Sequence, residues 1–214
     1  MRIPKHLGII PDGNRRWAED NGMSKEDGYD NGLNPGLQIL KLCKEIGIKE
    51  LTFYGFTSDN TKRPKLQRLA FTQSCIDAVK LLSEEEADLL VIGNTNSPMF
   101  PKELLPYTKE RKRFGKGGIN LNFLVNYDWK WDVRNIISLD KAANNPIDLL
   151  KSKDINRVDL IIRWGGRRRL SGFLPLQSVY SDFYIVEDYW PDFNPTHFKD
   201  AMDWYQTQDI TLGG

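Results

Sequence analysis

Apolar and polar positions along this chain predict strands and helices in alternation. Residues 7–10 (Leu-Gly-Ile-Ile) form an apolar run that stops at Pro11, Asp12, Gly13 and Asn14. This reads as a buried strand joined by a tight bend to a helix over 14–21 that ends at Gly22. A polar, glycine-rich stretch (23–32) leads to a helix over 35–46, with Leu37, Leu40, Leu42 and Ile46 on one face and Gly47 as its stop. A second buried strand is expected over 50–56 and a loop over 57–64, then a helix over 65–87 with Leu69, Cys75, Ile76, Val79 and Leu82 as its core stripe. Residues 88–95 read as strand and turn, 101–112 as a short charged helix, and 119–128 as the fourth strand. A helix is expected over 131–143, the fifth strand and its turn over 158–166, a strand-like segment over 182–188 and a last helix over 195–205. Strands alternating with helices indicate an α/β fold, a central mostly parallel sheet flanked by helices, whose ligands sit beyond the strands' carboxyl ends.

Those strand ends carry the candidate chemistry. The bend at 12–14 aims free helix N–H groups at one point, where an anion such as phosphate is favoured. Arg15 and Arg16 stand in the first helical turn, where the dipole disfavours cations unless an anion compensates them. Asp12 at the strand end suits Mg²⁺, which takes few carboxylates together with phosphate oxygens. The plainer alternative is an Asp-Gly turn before a solvated basic helix start. Polar residues also close the other strands, at 57–60, 126–128 and 163–166; Arg63 follows one loop, and Arg163, Arg167, Arg168 and Arg169 surround another, with Ser171 in reach. Arginine forks match diphosphate oxygens bidentately. A solvated basic turn is the alternative for the arginine run, which alone carries little weight. Two phosphate sites and one acidic ligand together suit chemistry in which diphosphate is the leaving group.

Composition narrows the setting. The 214 residues are expected to form one domain (1–214), large enough to bury a core without disulfides. Thirty basic against 29 acidic side chains leave no global field for nucleic acid, and membrane contact is expected to be peripheral at most. Cys43 and Cys75 lack metal-ligand spacing and read as reduced core residues of a cytoplasmic protein; His6 and His197 read as structural or exposed. No apolar run has signal-peptide or membrane-spanning length.

The same residues closely resemble the cis-prenyltransferase family of the undecaprenyl diphosphate synthase type. IIPDGNRRWA is similar to its P-loop motif, LTFYGFTSDNTKRP to its strand-and-loop signature ending in Arg-Pro, and INLNFLVNY to its Leu-Asn-…-Asn-Tyr strand. DLIIRWGGRRRLSGFLPLQSVYSDFYIVEDYWPDF resembles its long C-terminal signature, so the likeness spans nearly the whole chain in order. The resemblance implies a homodimer, an apolar tunnel for the growing chain, and Mg²⁺-dependent coupling of an allylic diphosphate with isopentenyl diphosphate. It implies that Asp12 places Mg²⁺, that Gly13, Asn14 and Arg16 bind the allylic diphosphate, and that Asn60 sits by the reacting carbons. Arg163, Arg169 and Ser171 would bind the homoallylic diphosphate, with Asp182 as a second acidic metal ligand near the dimer interface. Arg15, Trp17 and Arg63 are counted with the substrate-binding set, although for Trp17, as for Trp129 and Trp131, plain packing is the stronger alternative.

Departures from the family pattern matter as well. Lys25 stands where arginine is usual and Tyr29 where histidine is usual, both in the diphosphate- and proton-handling set; Tyr29 is therefore either a proton carrier or a packing substitute. Thr61, Gln67 and Arg15 replace the usual tryptophan, glutamate and glycine, and the terminal DITLGG lacks the family's arginines. The helix after Pro64 is shorter than in long-chain enzymes by about one turn, roughly 5 Å, which implies a short product. Residues 11–32 also resemble the lavandulyl-type branch, which couples C5 units in an irregular, branched or cyclised fashion. The leading expectation is a short-chain isoprenyl diphosphate synthase acting on isoprenoid diphosphates. The alternatives are irregular coupling of dimethylallyl diphosphate, a non-catalytic partner subunit, and transfer of a preformed prenyl group to another acceptor.

Overall fold

A computed structural model describes residues 2–137 and 145–209. Seven strands form one sheet in the order β4-β3-β5-β2-β1-β6-β7. They are β1 (His6–Ile10), β2 (Glu50–Tyr54), β3 (Ala87–Ile92), β4 (Lys112–Phe114), β5 (Asn120–Leu124), β6 (Leu160–Arg163) and β7 (Asp182–Ile185). All neighbours pair in parallel except β4, which runs antiparallel to β3. The helices are α1 (Asn14–Asp20), α2 (Leu33–Ile46), α3 (Lys65–Ser83), α4 (Trp129–Asp132), α5 (Arg134–Ile137) and α6 (Pro195–Gln206).

Alternation along each central strand sends one set of side chains to each face. Leu7, Ile9, Leu51, Phe53, Leu121, Phe123 and Ile162 join a core with Ile39, Leu40 and Cys43 of α2, Cys75, Ile76 and Val79 of α3, and Phe198 and Met202 of α6. Each such side chain contributes about 1.5–3 kcal/mol on burial. The opposite face, with Ile10, Tyr54, Leu124 and Ile161, is covered by Tyr127, Ile155, Val158, Phe173 and Leu174, which come from loops rather than long helices. Cys43 and Cys75 are free and buried, as expected. His6 is buried too: its Nε2 lies 2.7 Å from the Thr52 hydroxyl, and burial lowers its pKa against the pull of Glu50.

Several elements differ from the sequence expectation. The α3 helix stops at Ser83 rather than reaching residue 87. Glu84, Glu85 and Glu86 follow in a row, and three carboxylates at a helix C-terminus oppose its dipole. Leu69 is 57% exposed and leaves the core stripe, with Leu66 exposed beside it. The expected helix over 101–112 is a single 3₁₀ segment, Lys102–Tyr107, containing Pro106, followed by the short edge strand β4. Proline removes a backbone donor and ends regular helix, while the Lys-Arg of β4 suits an exposed edge. Within the expected helix over 131–143, α4 starts earlier and α5 ends at Ile137; residues 138–144 lie outside the described residues, as do 210–214 at the chain end. The strand expected over 119–128 ends at Leu124, and the chain then turns through Asn126 at φ 51°.

The register decides what meets at the carboxyl edge. Ile10 of β1 is opposite Arg163 of β6, and Ile9 is opposite Phe53 of β2. The loops after β1, β2 and β6 therefore emerge side by side.

Candidate active site

Each of those three loops is shaped locally. Gly13 takes φ 108°, and a Cβ there would lie 2.6 Å from the Tyr189 ring, so only glycine lets the bend pack under residues 189–190. The Asp12 carbonyl accepts the Trp190 N–H at 3.0 Å, and the indole N–H of Trp190 reaches the Gly32 carbonyl at 2.9 Å. This ties the bend to the start of α2. No side chain caps α1, so its first N–H groups have no side-chain acceptor. After β2, Asn60 closes the loop on itself: its Oδ1 accepts from the Thr57 N–H at 2.8 Å and the Thr57 hydroxyl at 2.9 Å. After β6, Gly165 has φ 79°, and a Cβ would come within 2.5 Å of the Arg16 guanidinium.

Asp12 and Arg163 form the floor. The Arg163 side chain is only 4% exposed; its Nη2 donates to Asp12 Oδ2 at 2.6 Å, and its Nη1 donates to Ser171 Oγ at 2.9 Å and to the Arg169 carbonyl. Ser171 holds φ 52° to present that oxygen. Arg16 approaches the other Asp12 oxygen at 3.5 Å and stacks over Tyr189 at 5.0 Å. Tyr29 is 4% exposed and accepts a hydrogen bond from Arg63 Nη1 at 3.0 Å. Burial pushes the Tyr29 phenol up, against the pull of Arg63, and burial lowers the Arg63 pKa.

These groups line a polar cleft of about 480 Å³. It gathers Asp12, Gly13, Asn14, Arg15, Arg16, Lys25, Tyr29, Asn60, Arg63, Arg163, Arg169 and Ser171. Seven basic side chains face three carboxylates (Asp12, Glu19 and Asp59), so the cleft favours anions even though the whole chain is nearly neutral. Lys25 is paired with Glu19 at 2.7 Å. Arg167 joins the lining, whereas Arg168 turns away to Glu187. A smaller cavity of about 90 Å³ opens beneath, between α2, α3 and the sheet, walled by Phe53, Phe71, Ala78, Leu81, Leu82 and Phe123. Cleft and cavity share Pro11, Asn14, Tyr29, Tyr54, Gly55 and Phe71, and the buried Oδ1 of Asn14 has no partner there.

Two expected site residues stand elsewhere. Trp17 donates its indole N–H to Asp192 at 2.7 Å and is absent from the cleft lining; it braces α1 against residues 190–192. Asp182 opens β7 opposite Leu160 and pairs with Arg2 at 3.5 Å. Because Arg163 is at the far end of that ladder, Asp182 cannot meet Asp12 within one chain. Among the described residues no group of three or more His, Cys, Asp or Glu could hold a metal ion. Asp12 with phosphate oxygens still meets what Mg²⁺ requires. The polar end at 126–128 is structural: Asp128 accepts from Ser58 at 3.1 Å and caps α4.

Three further lining residues were not singled out from sequence. Tyr54 donates to the Ser171 carbonyl at 2.9 Å, Phe71 stacks on Tyr29, and Trp190 walls the cavity; Gln67, noted as a departure, accepts from Arg15 at 3.3 Å outside the lining. The patterns of those three are those of ordinary core positions, which is why periodicity hid them.

A family model described as "Putative undecaprenyl diphosphate synthase" matches residues 10–213. The chain belongs to the undecaprenyl diphosphate synthase family. It is thus a prenyltransferase of isoprenoid biosynthesis. A ditrans,polycis-undecaprenyl-diphosphate synthase ((2E,6E)-farnesyl-diphosphate specific) of Buchnera aphidicola subsp. Schizaphis graminum is 34% identical over 229 positions, covering 98% of this chain and 91% of that protein. An isoprenyl transferase of Clostridium perfringens is 32% identical, covering 100% and 91%. Among solved structures, lavandulyl diphosphate synthase from Lavandula x intermedia, in complex with dimethylallyl diphosphate, superimposes with a TM-score of 0.84 over 99% of this chain and 98% of that one. At 24% identity that likeness speaks for the fold alone. No described helix of this family member is long and apolar enough to cross a membrane.

Proposed function

We propose that this prenyltransferase condenses an allylic C5 diphosphate with isopentenyl diphosphate, releasing diphosphate and giving a short-chain isoprenyl diphosphate. The observation that carries the reading is an arginine-rich cleft opening into a small apolar cavity. In the reaction the allylic carbon–oxygen bond breaks and diphosphate leaves with its electron pair. The isopentenyl double bond supplies the pair for the new carbon–carbon bond, and the proton then lost passes to the released diphosphate. Gly13, Asn14, Arg15 and Arg16 hold the allylic diphosphate at the uncapped α1 start, and Arg163, Arg169 and Ser171 hold the homoallylic one. Asn60, its Oδ1 taken by Thr57, has its amide NH₂ to offer a ligand. Tyr29 serves as a donor, since its buried phenol stays protonated. Mg²⁺, bound by Asp12 together with phosphate oxygens, would supply neutralisation of the leaving anion. The apolar cavity takes the hydrocarbon and keeps water from the allylic cation.

Cavity size supports a short product. About 90 Å³ is less than the roughly 150 Å³ that accommodates benzene in an engineered protein cavity. The 229-position alignment is also longer than this 214-residue chain, so the Buchnera relative carries residues that this protein lacks. We extend the proposal to one domain spanning 1–214 and to a homodimer through β7, an exposed edge beside Leu176, Val179 and Tyr180. In that arrangement Asp182 would serve across the interface, with Arg169 close to it.

The test is a product assay. Purified protein with Mg²⁺ receives dimethylallyl diphosphate alone, then with isopentenyl diphosphate, and the dephosphorylated alcohols are identified by gas chromatography–mass spectrometry. A short regular product that needs both substrates is expected. A branched or cyclic C10 alcohol from dimethylallyl diphosphate alone would replace the proposal with irregular coupling. No product under either condition would replace it with a partner-subunit role.

A further inference from the structure

We propose that Phe71 is a positioning residue of this enzyme, whose ring holds the Tyr29 hydroxyl and the Arg63 guanidinium as one unit at the threshold between cleft and cavity. The inference rests on the prenyl-transfer reading above. Phe71 stands on α3, with Tyr29 stacked on it at 4.6 Å between centroids and 13° between planes. The guanidinium of Arg63 lies over the same ring, 5.2 Å from its centroid, while donating to the Tyr29 oxygen. Phe56 packs edge-on at 5.3 Å and fixes the platform from the sheet side.

One apolar ring therefore sets the position of two polar groups that face the anion-binding space. Tyr29 and Phe71 both line cleft and cavity, so the platform lies where a diphosphate head passes to its hydrocarbon tail. Because Arg63 occupies a lone pair of the Tyr29 oxygen, the phenol proton remains to be given, and among the described residues nothing accepts it. On the functional reading above, that proton is available to the oxygen of a departing diphosphate. Without the ring both groups regain rotamer freedom, and small misplacements of reacting groups are costly.

Kinetics of wild type, Phe71→Leu, Tyr29→Phe and the double variant test this, with circular dichroism to verify folding. Phe71→Leu is expected to lower kcat about tenfold, a loss that is markedly smaller in the Tyr29→Phe background, where only the Arg63 contact remains to be lost. Its alkaline fall in kcat should begin at lower pH, because a less buried phenol ionises more readily; the Tyr29→Phe protein should show no such displacement. A multiplicative double variant, or a folded Phe71→Leu protein with wild-type kcat and pH profile, would overturn the proposal. Calorimetric binding of inorganic diphosphate reads the same platform without turnover. Phe71→Leu should weaken it about threefold, and should add nothing to Arg63→Met. If wild type transfers no prenyl group, the functional reading fails and this binding comparison alone decides the role of Phe71, with undiminished binding overturning it. If the leucine variant does not fold, Phe71→Met, which keeps the volume without the aromatic face, takes its place; failure of both assigns Phe71 to the core and overturns the proposal.

Discussion

Asp12→Asn separates the ion pair that one carboxylate makes from the metal role proposed for it. Asp12 neutralises the nearly buried Arg163 at 2.6 Å, and under the proposed function it would also hold a divalent cation. The asparagine can still accept from Arg163 through its amide oxygen, so that bond survives without the anionic charge, while Arg16 at 3.5 Å loses its acceptor. Hydrogen bonds to charged partners exceed neutral ones by about 1 kcal/mol, so a stability loss of that size is expected. Alanine would instead leave the guanidinium unpaired. Breaking a buried pair costs about 3–5 kcal/mol, but Asp12 is 32% exposed and partly screened, so about 2 kcal/mol is the expected cost. Removing a negative charge also changes anion binding. For a phosphate about 6 Å away the interaction approaches ~3 kcal/mol at an effective dielectric of 20, and partial exposure reduces it to about 1 kcal/mol. Metal-free inorganic diphosphate should therefore bind Asp12→Asn about fivefold more tightly. Turnover should fall at least about 100-fold, and added Mg²⁺ should no longer stimulate it. Urea melts, calorimetry with diphosphate, and a Mg²⁺ titration of turnover measure the three effects on one protein. Persistent Mg²⁺ stimulation would refute the metal role, and weaker metal-free diphosphate binding would refute the idea that this carboxylate faces the anion.

Two other expectations follow from the core. Phe123 walls the cavity against Phe53 at 6.0 Å, so Phe123→Ala should cost about 3 kcal/mol and lengthen the product by at least one C5 unit; an unchanged product from a folded variant would show that the cavity does not set length. Burial raises the Cys43 pKa and pushes Cys75 up to about 12, so above pH 9 the unfolded chain sheds thiol protons that the folded protein keeps. Stability should accordingly fall as pH rises from 9 toward 12, by about 1.4 kcal/mol per unit for each thiol, and the Cys43→Ala, Cys75→Ala double variant should show a shallower fall in urea midpoint.

Much of this protein was legible in sequence because its signals are local. Apolar runs ending in polar turns mark β1, β2, β5 and β6, and a parallel sheet puts such ends on one edge whatever the strand order. That is why the sequence alone groups Asp12, Asn60, Arg63, Arg163 and Ser171. What failed was also local in appearance but governed by competition. The stop of α3 came from three glutamates against a dipole, and the 101–112 segment yielded to Pro106 and an edge-strand pairing with β3. Strand order and register were decided only by the tertiary structure, and they carry the remaining differences. They placed Asp182 at the opposite end of the sheet from Asp12, sent Trp17 to Asp192, and turned Arg168 away while keeping Arg167 in the cleft. They also brought Phe71 of α3 onto Tyr29, which lies 42 residues earlier in the chain. Spacing along a helix or strand reports which face a residue occupies. Which residues meet across elements depends on packing, which no single segment encodes.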